Sequence, residues 1–399
     1  MTGTKNLKLL ALLLALFACG KEEQQPAEQV EIPLTAEEKI DKSDFELKQV
    51  DYNSLSGWKK DDLATAMQAF ALSCQKIMAS DSEFLSDKAL VKIPTAAYKE
   101  ICQKLETTAP LEYSNFIEQN FTPYQVLFKG NDIGQFTSYF EPTIQVSVTR
   151  SHGYNYPIYG RPYDLFEMNL KDFDEAYPNK KLVGRVVGQK FVPYFTRDEI
   201  SKIMMKAPVI LWAANPVDLY IAQIQGSAIA ETEDGKQVRI TYDSNNGHKF
   251  TGIGRILLER RLIRKDKASM MEIKKWMHEN YDVAKDLMNE NKRYVFHRLS
   301  YESGPIGAEG VVLTAGRSLA VDENYIPYGS LLWLETALPK YGETYKMVVA
   351  QDTGEAIKGA IRGDYFWGTG SDDVLELAGK MNSTGRYFIF IPKGVEVSQ

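Results

Sequence analysis

Apolar residues recur at helical spacing from Leu63 to Phe70 and again from Tyr98 to Leu105, which predicts a mainly helical first globular segment. From Gln135 the pattern changes to short runs of β-branched and aromatic residues: Thr143 to Val148, Lys181 to Val187, Val209 to Trp212, Leu219 to Ile224 and Val238 to Tyr242. Most are bounded by Gly, Pro, Asn or Asp, so they predict strands of a small β domain. Ile253 to Arg264 and Ser269 to Met288 return to helical periodicity with charged faces. From Ser300 the chain is strand-rich again, with turns at Ser303-Gly304-Pro305, Ile326-Pro327-Tyr328-Gly329 and Asn382-Ser383-Thr384-Gly385. No fixed-period repeat is present, which excludes solenoids and propellers. The expected class is α+β, mostly β, with two β modules.

The only long apolar run, Leu9 to Ala18, follows Lys5 and Lys8. It is about half the roughly 20 residues that a membrane span needs, so residues 1–18 read as a signal peptide. Leu16-Phe17-Ala18-Cys19 places a small residue directly before a cysteine and resembles a bacterial lipoprotein signal. The mature chain is therefore expected to begin at a lipidated Cys19, whose acyl chains anchor it to a membrane. Gly20 stands where such lipoproteins carry Asp when retained at the inner membrane, which favours the outer membrane, facing the periplasm. Residues 19–45 are expected to form a tether, because Lys21 to Lys42 is rich in Glu, Gln, Pro and Ala without aromatics and cannot offset the entropy of folding. Cys74 and Cys102 are the remaining cysteines, and the export route favours a disulfide between them over two separately buried thiols. Closing that loop stabilises by about 3 kcal/mol on the chain-entropy account.

Composition narrows the function. The 399 residues are 44% apolar and 25% charged, as in ordinary globular proteins, and the net charge of −6 argues against a nucleic-acid partner. His152, His248, His278 and His297 lack the spacing of a zinc site, so no metal is expected. No nucleophile elbow and no phosphate-cradling loop is present, and no cofactor is expected. Acid–base chemistry by carboxylates is what remains.

Two acids stand out. Val348 to Glu355 runs a buried-looking strand into a turn bearing Asp352, and Ile361 to Gly368 carries Asp364 among apolar and aromatic residues. Partial desolvation of such a carboxyl raises its pKa and makes it a usable proton donor. Arg362 lies two residues from Asp364 on the same strand face, and a close guanidinium would lower that pKa. Arg362 is therefore expected to turn away or to pair elsewhere, with Glu355 as a candidate partner. Asp352-Thr353-Gly354 is also the tripeptide of aspartic peptidases, but those need two copies and this chain has one, followed by Glu355 instead of Ser or Thr. A plain turn hydrogen bond is the simpler reading of Asp352.

Gln351 to Gly359 followed by Arg362 to Gly370 resembles the signature of the membrane-bound lytic transglycosylase A family, MltA. Phe136 to Pro142, Phe191 to Ile200, Gln223 to Ser227 and Gly316 to Asp322 match in the family's order, and Tyr156 to Tyr159 and Asn246-Gly247-His248 also fit. The resemblance implies a double-psi β-barrel with N-terminal helices, an inserted second β-barrel and a groove between them. On that basis residues 46–140 are the helical N-terminal part of the first domain, 141–298 the insert with its helices, and 299–399 the double-psi part. It implies Asp364 as catalytic acid, supported by Asp352 and Asp322, the other two aspartates that mark the barrel type. Thr137, Tyr139, Gln225, Gly226, Ser227, Gly354, Lys358 and Trp367 are the expected substrate contacts, with Tyr365 and Phe140 as further stacking candidates. Ser138 and Glu355 stand where the family usually has glycine, which places extra side chains near the loops that approach the glycan.

The implied substrate is the glycan strand of peptidoglycan. The implied reaction cleaves the MurNAc-β-1,4-GlcNAc bond and leaves a 1,6-anhydromuramic acid end, with one Asp acting as acid and then base. A murein-binding lipoprotein that kept the fold without the chemistry is the alternative, and an aspartic peptidase the remote one. Synthase or hydrolase partners are not legible in the sequence.

Overall fold

The computed structural model describes residues 44–265 and 268–396. The signal peptide, Cys19 and nearly all of the tether lie outside the described residues. No described helix is long and apolar enough to cross a membrane.

The chain begins with strand β1 (Phe45–Gln49), then helices α1 (Leu63–Met78), α2 (Thr95–Leu105) and α3 (Tyr113–Asn120), then β2 (Phe121–Phe128) and the long β3 (Gly134–Ser147). The insert follows with β4 (Tyr156–Tyr159), β5 (Phe166–Asn169), β6 (Lys181–Val187), β7 (Lys190–Pro193), α4 (Arg197–Lys202), β8 (Val209–Ala213), α5 (Pro216–Gln225), β9 (Ala228–Thr232) and β10 (Gln237–Asn245). It ends with α6 (Ile253–Glu259), α7 (Met270–Glu279), α8 (Tyr281–Glu290) and β11 (Val295–Ser300). The C-terminal part comprises β12 (Ser318–Val321), β13 (Leu331–Leu338), β14 (Gly342–Asp352), β15 (Arg362–Gly370), α9 (Asp372–Ala378) and β16 (Asn382–Pro392).

Strands β16, β13, β14, β12, β15 and β3 are hydrogen-bonded in that order, and a pairing of β16 with the start of β3 closes them into a six-stranded ring. Within it β12–β14 and β15–β3 run parallel, the other pairs antiparallel. Closure removes unpaired strand edges, and the apolar runs of β13, β14 and β16 fill the barrel core. Strand β3 then continues out of this barrel. Its residues 134–142 pair with β15 and β16, whereas 143–147 pair with β9 and β8 of the insert. The two expected β modules are thus joined by one strand they share. Strands β5, β6 and β7 form a separate small sheet.

Two expectations need correction. The segment before residue 140 contains β1, β2 and the first half of β3 as well as helices. Leu219 to Ile224, expected as a strand, lies in helix α5. The Asn215 side chain caps the Val217 and Asp218 amides at 2.8 and 3.3 Å, Pro216 occupies the first turn, and Gly226 ends the helix at φ +89°. Its apolar pattern looks continuous because the helix is buried on two sides: Val217, Tyr220 and Ile221 pack with α6, α7 and α8, while Leu219 and Ala222 pack on the insert strands. The span Ser269 to Met288 forms two helices that break at Asn280.

The N-terminal helices are fixed to the barrel by covalent and polar links. A Cys74–Cys102 disulfide joins α1 to α2. The buried Gln351 side chain accepts from Ser318 at 2.6 Å and donates to the Ala69 carbonyl and the Ser73 hydroxyl at 2.8 and 2.9 Å. Ser73 donates onward to Glu309 at 2.7 Å. Burial pushes the Glu309 carboxyl up to about 7 from an ordinary 4.5. A raised acid contributes stability that is complete below its unfolded pKa and is lost as pH rises through the folded one. Unfolding free energy of the wild type minus that of Glu309→Gln is therefore expected to fall by about 3 kcal/mol between pH 5 and pH 8. Urea titrations of both proteins across that range read the difference directly; a constant difference would sink it.

Candidate active site

The barrel brings four residues into one transverse row. Thr137 on β3 lies opposite Asp364 on β15, Asp364 opposite Ala320 on β12, and Ala320 opposite Asp352 on β14. Neighbouring strands are about 4.8 Å apart, so only one methyl group separates the two aspartate positions within the row. Thr137 and Tyr139, two residues apart on β3, share a face, and each reaches one of the carboxyls.

Asp352 is held by three donors. The Ala308 and Thr353 amides donate to Oδ1, both at 2.9 Å, and the Tyr139 hydroxyl donates to Oδ2 at 2.8 Å. Burial pushes its pKa up to about 6, these three bonds pull it down, and the charge of Asp364 adds to the rise. Tyr139 is itself held well above its ordinary value by burial and by Asp352 and Asp364.

Asp364 has a different environment. Thr137 donates to its Oδ1, and among the described residues nothing bonds its second oxygen. Arg362 Nη2 donates to the Thr137 oxygen at 2.6 Å, which leaves the single Thr137 proton pointing at Asp364. Arg362 also donates to the Gln135 and Gly363 carbonyls. It forms no ion pair with Asp364, but contrary to expectation it does not turn away: it stays on Thr137 and its charge still acts on Asp364, and it does not pair with Glu355, whose partner is Arg293 at 3.9 Å. Burial raises the Asp364 pKa, while the Thr137 bond and the Arg362 charge pull it back.

A groove of about 580 Å³ opens beside Tyr139 and Asp352; Asp364 and Thr137, the next positions of the row, are not among its lining residues. Tyr139, Asp352, Gly354, Lys358 and Phe366 line it from the barrel, and Gln225, Gly226, Ser227, Tyr242, Arg293 and Arg298 from the insert. Gln225 also accepts from the Phe140 amide at 3.1 Å, which ties the end of α5 to the strand that both domains share.

Other expected residues lie elsewhere. Asp322 is buried and binds the Asn324 amide, the Asn324 side chain and the Gly359 amide at 3.1, 2.9 and 2.8 Å, bracing the loop before β15 from behind. Trp367 does not line the groove: because Phe366 faces the groove, its neighbours Tyr365 and Trp367 face the other side of β15. Phe140 lies beside the groove but is buried in the core against α5. The Ser138 side chain points away as well, donating to the Ala378 carbonyl at 2.7 Å. Of the two positions where glycine was expected, only Glu355 places a side chain at the groove. Sequence reasoning missed Tyr242, Arg293 and Arg298, which lie on or beside strands far from the signature, and the Ala308 donor, a backbone amide that no residue type announces.

The fold of MltA from Neisseria gonorrhoeae, in its monoclinic crystal form, superposes with a TM-score of 0.76 at 30% identity, over 89% of this chain and 94% of that one. The chain belongs to the MltA family. Residues 135–298 match the MltA specific insert domain and residues 317–391 the 3D domain. A membrane-bound lytic murein transglycosylase from Agrobacterium tumefaciens gives a TM-score of 0.78 at 28% identity, over 87% of this chain and 98% of that one. Membrane-bound lytic murein transglycosylase A of Escherichia coli K12 is 30% identical over 265 residues, so the matched segment spans 64% of this chain and 65% of that relative. The six-stranded ring with its helices, and the inserted β domain across the groove, are accordingly the double-psi barrel and insert of MltA proteins.

Proposed function

We propose that this chain is a lytic transglycosylase that cleaves the MurNAc-β-1,4-GlcNAc bond of peptidoglycan and leaves 1,6-anhydromuramic acid ends. The observation that carries the reading is the asymmetry of the two carboxyls. Asp352 has its oxygens committed to three donors, whereas Asp364, raised by burial, keeps one oxygen free to give and take a proton. That relatives of this chain are lytic murein transglycosylases supports the substrate class.

In the first half of the reaction the Asp364 carboxyl protonates the glycosidic oxygen as the C1–O bond breaks. In the second, the Asp364 carboxylate takes the proton of the C6 hydroxyl as that oxygen bonds to C1. The proton count closes and no water is consumed. A glycosidase needs a second carboxylate to act as nucleophile or to activate water. Here the nucleophile is already bound as part of the sugar, which removes the ordering cost of a bimolecular step. Two groups are available to stabilise the oxocarbenium-like charge, the acetamido group of the substrate and Asp352 at the other end of the row. The lipoprotein-type leader and Cys19 support a lipid anchor, and Gly20 favours the outer membrane, facing periplasmic peptidoglycan.

Mass spectrometry of purified peptidoglycan after digestion tests the proposal. Muropeptides with anhydro ends, one water lighter than hydrolysed forms, are expected; reducing ends alone would mean hydrolysis, and binding without cleavage would favour a scaffold. A pH profile tests the acid. Because Arg362 holds the Asp364 pKa down, Arg362→Gln is expected to move the alkaline limb of kcat/KM to higher pH. A limb that stays in place would separate Arg362 from the acid.

A further inference from the structure

Behind the strand that carries Asp364 lies a second cleft, of about 330 Å³, lined by Ala315, Gly316, Leu338, Tyr341, Thr344, Lys346, Tyr365 and Trp367. Tyr341 sits in the turn between β13 and β14 and is 63% exposed. Its ring centroid is 6.5 Å from that of Trp367 with the planes at 35°, and Tyr365 meets Trp367 at 5.5 Å and 68°. Tyr365 is buried and backs the cleft, Trp367 is half-buried with its inner side packed on the core, and Tyr341 stands exposed beside it, so Tyr341 and Trp367 supply the open aromatic surface.

Lys346 lies in the same cleft, half-buried, with Nζ 3.4 Å from the Tyr365 hydroxyl. Among the described residues no carboxylate comes within ion-pair distance of it. The acid nearest to hand, Asp61, is taken up by a two-pronged pair with Arg317 at 2.6 and 2.9 Å and by the Met347 amide at 2.9 Å. Burial and the Arg317 charge act against the Lys346 ammonium; Asp61 and Asp62 offset this only in part and from beyond ion-pair distance, so the ammonium keeps room for a direct anionic partner.

The exposed Tyr341 ring beside the half-buried Trp367 suits the apolar face of a pyranose, and a compact ammonium with no carboxylate in direct contact suits a carboxylate. We propose that this cleft is a second glycan-binding site, which takes a carboxylate-bearing hexosamine unit of the polymer whose bond is cleaved in the groove. The identity of that polymer rests on the function proposed above. Two sites for one polymer raise retention on long or insoluble strands without altering the turnover of a short soluble piece, because the second contact is made at high effective concentration.

The test uses the full chain carrying Asp364→Asn, so that binding is read without cleavage. Tyr341→Ala is expected to weaken binding to insoluble peptidoglycan and to isolated glycan strands by about tenfold. Lys346→Gln is expected to weaken binding to carboxylate-bearing strands but not to neutral chitohexaose. Strands stripped of peptide distinguish the source of the carboxylate: an effect of Lys346→Gln that persists there assigns the lactyl group, and one that disappears assigns the peptide. Unchanged affinity in both variants, with unchanged thermal melting, would overturn the proposal. If the wild type fails to cleave peptidoglycan while Tyr341→Ala still weakens binding, the proposed activity fails and the second site stands.

Discussion

Asp364→Asn is expected to lower the rate of anhydro-end formation by about 10³-fold or more while leaving the protein folded. One positioned general acid or base contributes about 10²–10⁴ in rate, and in the proposed mechanism the same group serves both halves of the reaction. The amide keeps the shape and still accepts from Thr137, so the row of residues is preserved. It also removes a buried ionisable group whose pKa is raised, so melting temperature near neutral pH is expected to hold or rise. Product mass spectrometry paired with thermal melting reads both effects. A variant that keeps a tenth of the wild-type rate would displace Asp364 from its role, and loss of activity in Asp352→Asn alone would transfer that role to Asp352.

Glu141→Gln is expected to cost about 3–5 kcal/mol of stability, the range seen when one partner of a buried ion pair is removed. Glu141 is fully buried at the point where β3 leaves the barrel for the insert. It accepts from Arg239 of β10 at 2.7 and 3.1 Å, and from Thr369 of β15 at 2.6 Å. One carboxylate thus joins the strand that carries Asp364 to the wall of the insert. Neutralising it leaves Arg239 desolvated without a counter-charge. Glu141→Leu combined with Arg239→Met is expected to recover most of the loss, because no charge is then stranded. Denaturant midpoints of the three variants decide the matter: a single variant within 1 kcal/mol of wild type would mean that solvent reaches Arg239.

The fold was legible wherever one face of an element is wet. Short β-branched and aromatic runs bounded by turn residues marked β6 and β10, and helical spacing marked α1, α2 and α6. It failed for α5, whose apolar positions face two layers at once, so that neither period shows; Asn215-Pro216 and Gly226 were the signals that could have corrected it. The aspartates and Thr137 were legible because they sit in a dense motif. The direction of a side chain was harder. Ser138 and Trp367 fall within that motif but point away from the groove, and only the register of β3 with β15 reveals this. Arg293 and Arg298 reach the groove through the three-dimensional return of β11 and carry no local signature.

Strand β3 belongs to both barrels, and this has a mechanical consequence. A linker would let the insert swing while the row from Thr137 to Asp352 stayed still. A shared strand does not: Thr137, which donates to Asp364, and Val146, in the core of the insert, lie on one hydrogen-bonded ribbon. Widening the groove bends that ribbon near Glu141, so a strand passing between the walls meets a spring and not a hinge. Melting either barrel also strips a strand from the other, and heat takes both apart in one cooperative step.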